Sequence, residues 1–214
     1  MKDIIICGAG GFGREVACLI KRINQVEPTW NLLGFTDPDE KLWGTSNEYG
    51  KVLGDDSIIN QWKSPVSVAI SVGNPKLVRK IAESIENTKV EFPNLIDPAT
   101  QIMDKDNYQL GKGNIFTVGC IISIAVKIGD FNTFNCNVDL GHDDEIGSFN
   151  SFMPNVNISG GVKIGDGNFF GVKSTVLQYL KVGNDVTIGA NSLVLRNTKD
   201  GFLYMGSPAK KIEL

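Results

Sequence analysis

The chain has 214 residues, a formal charge of −3 and an apolar content of 42%, with a pI near 5.2. That length allows one or two domains with cores of their own, and the mildly acidic balance argues against a nucleic acid or any other polyanion as partner. No run approaches the roughly 18 apolar residues a membrane span requires, and MKDIIICGAG leads from a strand into a glycine loop rather than from a signal to a cleavage site, so the expectation is a cytoplasmic protein.

The first element is an apolar strand from Asp3 to Cys7, followed by Gly8, Gly10 and Gly13 in a GxGxxG pattern with Gly11 inside it. A helix is predicted from about Phe12 to Asn24 and a second strand over Asn31 to Phe35, ending in Thr36, Asp37 and Pro38. Asp37 comes 24 residues after Gly13, close to the acidic spacing of a nucleotide-binding βαβ unit. In such a unit backbone N–H groups at a helix N-terminus cradle phosphate and a carboxylate meets the ribose or base. A further strand, Val66 to Val72, runs into Gly73, Asn74 and Pro75 and then a helix carrying Lys76, Arg79 and Lys80, with Leu77, Ile81 and Ile85 on its apolar face. The segment FPNLIDP, with Pro93 and Pro98, breaks any helix and closes the unit. Residues 1–95 therefore read as an α/β Rossmann-like domain. It is too short for a full dinucleotide domain and suits a mononucleotide or nucleotide-sugar, held by Gly8, Gly10, Gly11, Gly13, Asp37, Gly73 and Asn74.

From Leu110 to Val194 the grammar changes, because an apolar residue returns at every sixth position without a failure. Fifteen consecutive hits at 42% apolar content have a chance on the order of 10⁻⁶. A six-residue period fits neither a helix nor a flat strand, so each hexad is a short strand followed by a corner, and three such edges close a coil. The corner positions carry the residue types that tolerate positive φ, among them Gly113, Gly119, Asn137, Asp143, Asn155, Gly161, Gly167, Asp185, Asn191 and Asn197. Glycine also recurs every eighteen residues at 111, 129, 147, 165 and 183, one full triangular turn. Residues 96–214 read as an all-β parallel β-helix of about five coils with a continuous apolar stack inside.

The four cysteines, Cys7, Cys18, Cys120 and Cys136, show no paired spacing, so buried reduced thiols are expected. The one histidine, His142, lies in NVDLGHDDEIG outside the apolar row. It follows Leu140 and Gly141 at a corner, where its imidazole should reach the outer surface. Asp143, Asp144 and Glu145 come next, and any of them could hold one ring nitrogen while the other faces a substrate.

At this point the chain resembles the hexapeptide-repeat acyltransferases, in the branch that carries an N-terminal nucleotide-sugar domain. The resemblance covers essentially the full length and rests on GAGGFGRE, VGNPKLVRK, FPNLIDPAT, GHDDEIG, SGGVKIGDGNFFG and GSPAKK in combination. It implies a left-handed coil, since the period fixes the size of the coil and not its hand. It implies His142 as catalytic base with Asp143 orienting it. It also implies a homotrimer with acetyl-CoA in a cleft between neighbouring β-helices, lined by Gly160, Gly161, Gly171, Val172, Gly189, Ala190 and the tail about Lys210, with no metal. The implied reaction is N-acetylation of a nucleotide-linked 4-amino-4,6-dideoxy sugar, with sugar O-acetylation as the alternative. Many relatives carry a second histidine where this chain has Phe12 and another where it has Asp97, so phosphate contacts fall here to backbone N–H groups or to Arg14. Three other readings weigh less. A nicotinamide oxidoreductase lacks its second half-domain, a zinc hydratase would need three histidine ligands where each chain has one, and a plain scaffold would not bind acetyl-CoA.

Overall fold

The computed structural model describes residues 1–212, and the chain divides into two compact units, Met1–Pro98 and Ala99 onward. In the first unit the elements run β1 (Lys2–Cys7), α1 (Gly11–Val26), β2 (Trp30–Thr36), β3 (Ser46–Asn47), β4 (Gly50–Gly54), α2 (Ser57–Asn60), β5 (Val66–Ile70), α3 (Pro75–Ser84) and β6 (Val90–Glu91). They form one sheet in the order β3-β4-β2-β1-β5-β6, parallel throughout except for the β3–β4 hairpin. β1 is central, paired with β2 on one edge and β5 on the other. Its Ile4, Ile5, Ile6 and Cys7 are all fully buried, which is why it reads as a continuous apolar run rather than an alternating one. The strand order reverses at β1, leaving a crevice beyond its C-terminal end, the place where open α/β sheets bind ligands.

Helix α1 buries Val16, Ala17, Leu19 and Ile20. Helix α3 buries Val78 and Ile81 but leaves Leu77 43% exposed, so its inner face lies one residue on from the Leu77, Ile81, Ile85 face expected from the sequence. Pro75 starts this helix and Asn74 caps it.

The second unit is a parallel β-solenoid of two-residue strands on three faces. One face stacks Ile115–Phe116, Thr133–Phe134, Ser151–Phe152, Phe169–Phe170 and Thr187–Ile188. The second runs from Gln101–Ile102 through Asp139–Leu140 to Leu193–Val194, and the third from Gln109–Leu110 through Glu145–Ile146 to Lys181–Val182. From Gln109–Leu110 to Leu193–Val194 each strand pairs with the one eighteen residues away, so the apolar row becomes a column of like residues; Gln101–Ile102 pairs twenty residues on, with Ile121–Ile122. Phe116, Phe134, Phe152 and Phe170 stack inside the coil at centroid spacings of 4.3, 4.8 and 4.6 Å. At one corner Asn114, Asn132, Asn150 and Asn168, all fully buried, form an amide ladder in which each Oδ1 accepts the backbone N–H of the next coil at 2.7–2.9 Å.

Positive φ recurs at every sixth position from Gly113 to Asn191. The expected glycine, asparagine and aspartate corners are there, joined by Ala125, Phe131, Phe149, Lys173 and Tyr179, whose left-handed turns the stacking of coils imposes against propensity. Asn197 is not a corner of this kind, because it lies outside the set of positive-φ residues and its Oδ1 instead accepts the Lys181 N–H at 2.8 Å. After the last coil, Leu203–Met205 extends the first face and Lys210–Ile212 turns back antiparallel along it. The four cysteines are free, Cys7 and Cys120 buried but Cys18 and Cys136 only partly so. Among the described residues no helix is long and apolar enough to cross a membrane.

Candidate active site

In the first unit the glycine loop leaves the C-terminal end of β1. The Gly8 N–H donates to the Thr36 carbonyl at 2.8 Å, and the buried Ser71 hydroxyl donates to the Cys7 carbonyl at 2.7 Å. Gly13 is where glycine is indispensable, since a Cβ there would overlap the Gly8 carbonyl oxygen; the third glycine of the pattern allows the first turn of α1 to press against the strand end. A side chain at Gly10 or Gly11 would meet only open space, and no side chain caps the N-terminus of α1, which leaves the room an anion at a helix N-terminus requires. Asp37 closes the loop from the β2 side. Its Oδ2 accepts the Ala9 N–H and its Oδ1 the Asp39 N–H, both at 3.0 Å. Arg14 projects from the first helical turn, half exposed, 3.5 Å from Glu48. Gly73 is open, whereas Asn74 spends its side-chain oxygen on capping α3, accepting from the Lys76 and Leu77 N–H groups at 3.0 and 3.3 Å.

In the solenoid, His142 and Asp143 occupy the corner after Asp139–Leu140. Asp143 sits at φ +61, and this left-handed turn aims both side chains outward, half or more exposed. Nδ1 of His142 lies 2.8 Å from Asp143 Oδ2. With the proton on Nδ1, Nε2 is left as the basic nitrogen. One coil on, the Gly161 N–H donates to the His142 carbonyl at 2.7 Å, which places Gly160 directly against the ring. A Cβ at 160 would overlap Nε2 and lie 2.6 and 2.7 Å from Cε1 and Cδ2, so the absence of a side chain gives the imidazole its room.

The three acidic candidates beside the histidine thus separate. Asp143 holds the ring. Glu145 faces the exposed row on the third side of the coil, 3.1 Å from Lys163 and 3.6 Å from Lys127, and these cations hold its carboxyl below the usual carboxylate range. Asp144 turns inward and is fully buried, with burial pushing its carboxyl up to about 8. Nothing in the sequence reading singled it out, although an aspartate between Val126 and Val162 in an otherwise apolar interior column is the signal that marks it.

The remaining residues picked from the sequence lie along the same solenoid. Gly171 and Gly189 are tight because the next backbone segment crosses them, Cβ atoms there falling 2.5 Å from the Ala190 nitrogen and 2.8 Å from Met205 Cβ; stacking alone accounts for both. Val172 is 41% exposed and its carbonyl accepts the Asn191 N–H. It belongs to an outward corner column of Val118, Cys136, Pro154, Val172 and Ala190, apolar along its length. Lys210 is exposed in the tail strand opposite Met205, while Lys211 places its ammonium 3.6 Å from the centroid of the Phe202 ring. Among the described residues no group of three or more His, Cys, Asp or Glu side chains is arranged to hold a metal ion.

Comparison with known proteins bears on both units. Residues 3–85 match the family described as the PglD N-terminal domain. No curated protein matches the chain by sequence. Among solved structures the chain is similar to the acetyltransferase domain of PglB from Neisseria gonorrhoeae FA1090 in complex with acetyl coenzyme A, at 25% identity and a TM-score of 0.87, covering 99% of each chain. It is similar to a perosamine N-acetyltransferase, PerB, from Caulobacter crescentus in complex with CoA and GDP-perosamine, at 24% identity and a TM-score of 0.86, covering 100% of this chain and 98% of that one. WeeI from Acinetobacter baumannii AYE matches at 24% identity and a TM-score of 0.87, over 99% of this chain and 100% of that one.

Proposed function

We propose that the chain is a hexapeptide-repeat sugar acyltransferase with a PglD-type N-terminal domain, and that it moves the acetyl group of acetyl-CoA onto the amino group of a nucleotide-linked 4-amino-4,6-dideoxy sugar. The observation that carries this reading is the pairing of the chain's one imidazole with Asp143 at 2.8 Å, exposed, with a side-chain-free residue beneath the ring.

His142 Nε2 accepts a proton from the sugar amine as its nitrogen forms the new bond to the thioester carbonyl carbon. Asp143 stabilises the imidazolium that results. The proton then passes to the departing CoA sulfur as the carbon–sulfur bond breaks, so the products are an amide and a free thiol. Positioned general-base catalysis of this kind contributes about 10²- to 10⁴-fold. The charge that develops on the carbonyl oxygen needs a donor nearby. Because the Gly161 N–H is committed to the His142 carbonyl, that role falls to the Gly160 N–H.

The glycine loop is the natural seat of the nucleotide's phosphates, with open space beside the α carbons of Gly10 and Gly11, no side chain capping the N-terminus of α1 and Asp37 bracing the loop through Ala9. The outward column of Val118, Cys136, Pro154, Val172 and Ala190 suits apolar contact with a neighbouring copy and with the pantetheine arm, consistent with a homotrimer of left-handed coils. The test is His142→Ala. Thiol release from acetyl-CoA in the presence of a nucleotide-linked 4-amino sugar should fall about 10²-fold or more while both substrates still bind. Retention of more than a tenth of the turnover defeats the assignment.

A further inference from the structure

Asp144 breaks the rule of its column. The coils on either side carry Val126 and Val162 at the equivalent position, both fully buried, and Asp144 is as buried as they are. Its carboxyl copies half of what the asparagine ladder does at another corner. There each Oδ1 accepts the N–H eighteen residues on, and Oδ1 of Asp144 accepts the Val162 N–H at 2.9 Å in the same way. In the ladder the other terminal atom is an N–H donor, reaching the carbonyl fifteen residues on, as Asn114 reaches Gly129 and Asn132 reaches Gly147 at 2.9 Å. In Asp144 that place is taken by Oδ2, buried and without a hydrogen-bond partner. A carboxylate oxygen cannot donate; a carboxylic acid O–H can, and the ladder's pattern makes the Ser159 carbonyl its acceptor.

We propose that Asp144 is a positioning residue that works as a neutral carboxylic acid, an asparagine mimic inside the coil that fixes the corner carrying His142 and Asp143, and that its ionisation sets an alkaline limit on the site.

The surroundings on balance favour the neutral form. Burial is the largest influence raising its affinity for the proton; the N–H groups of Val162 and Gly141 oppose it, and the negative charges of Asp143 and Asp139 add to it. Burial also raises Asp139. From the coils above and below the interior neighbours are valines, and the cations Lys127 and Lys163 are engaged with Glu145 on the outer face, so no positive group turns inward to meet the carboxylate. Ionised, Asp144 would be a third negative charge in one corner with no route to water except by pulling residues 142–144 outward, which would unseat the imidazole from Gly160.

This rests on the reading of His142 as the base, and the experiment separates the two. The chain has a single histidine, so its imidazole signals in a nitrogen-correlated NMR spectrum report one site. In the wild type they should show a second inflection near pH 8, matched by titration of a ¹³C-labelled aspartate carboxyl. Asp144→Asn, which keeps the ladder geometry and cannot ionise, should abolish that inflection and move the alkaline fall in kcat upward by more than one pH unit, with KM for acetyl-CoA little changed. An aspartate carboxyl set that titrates wholly near pH 4, or an Asp144→Asn protein with an unaltered histidine inflection, overturns the proposal whether or not the enzyme acetylates the substrate offered. Asp144→Val, the residue of the neighbouring coils, should also lose the second inflection but, unable to accept the Val162 N–H, should lower kcat at every pH where Asp144→Asn does not; a valine variant with the kcat of the asparagine variant overturns the positioning role.

Discussion

Replacing Gly160 with alanine places one methyl group against the His142 imidazole, which supplies its three nearest atoms. Its carbon would overlap Nε2 of His142 and lie 2.6 Å from Cε1 and 2.7 Å from Cδ2, where ordinary carbon contacts begin at about 3.5 Å. The ring must retreat by about 1 Å. Because the His142 side chain is half exposed and φ at 160 lies outside the left-handed region, the retreat is cheap for the fold, less than about 1 kcal/mol. It is not cheap for the chemistry, since Nε2 leaves its position and the 2.8 Å contact with Asp143 is broken or bent. A displacement of about 1 Å costs on the order of 10²-fold in rate, or about 2.7 kcal/mol of transition-state stabilisation. Turnover is read by release of free CoA thiol, and the melting temperature of the same preparation shows whether the fold has been kept. A Gly160→Ala enzyme with a normal melting temperature and more than a third of wild-type kcat would falsify the placement of the imidazole over Gly160.

Asp37→Ala removes the acceptor for both the Ala9 and Asp39 N–H groups, so affinity for the nucleotide-sugar should fall about tenfold or more with acetyl-CoA affinity within about twofold of wild type; equal loss of both, measured by calorimetry, counts against separate seats for the two ligands. The Asp144 carboxyl, held up to about 8 by burial, keeps a proton that the unfolded chain gives up near pH 4, so the folded state binds more protons between those limits and stability declines with rising pH by about 1.4 kcal/mol per unit. Chemical denaturation of wild type and Asp144→Asn should therefore show an advantage for the variant that widens from pH 5 to pH 8 and then levels, and an advantage independent of pH contradicts the neutral buried acid.

Much of the solenoid was legible because its physics is repetitive. An apolar residue at every sixth position from Leu110 to Val194 has one use, to fill the inside of a coil, and the structure turns that row into stacked columns. The glycine loop was legible for a similar reason, since only glycine fits where α1 passes the Gly8 carbonyl. The spacing from Gly13 to Asp37 translates into a direct hydrogen bond from the loop to that carboxylate. What the sequence hid are properties of neighbours eighteen residues apart. Aromatic and lysine corners at Phe131, Phe149, Lys173 and Tyr179 contradict local propensity and are imposed by the coils around them. Asn74 looks like a ligand-facing loop residue and is a helix cap. Leu77 matches a helical period, but Val78 is the residue buried in its place. Asp144 reads as one of three exposed acids until the corner is folded and its neighbours turn out to be valines.

The departures from the repeat are not scattered, and their clustering is an argument about how a solenoid acquires a site. In a stack of coils each unit is stabilised chiefly by the next, so a side chain that does not suit the interior is tolerated where both neighbours are intact. The coil that carries His142 has such neighbours. Phe134 and Phe152 stack within it and against the coils on either side, and the buried amides of Asn132 and Asn150 join those coils at a second corner. With that face and that corner so held, the corner at 142–144 departs from the repeat in three ways at once, with an imidazole facing outward at 142, an acid in the core at 144 and a missing side chain one coil on at 160. Any one of these is a local cost. Together they place an imidazole, the carboxylate paired with it, a buried acid and a residue without a side chain within one turn of chain and its neighbour. The same reasoning places the prediction for Gly160→Ala at the corner itself: a methyl group on the equivalent outward positions 124 or 178 already exists as isoleucine and glutamine, so a side chain in this column is acceptable to the fold and intolerable only where the ring must lie.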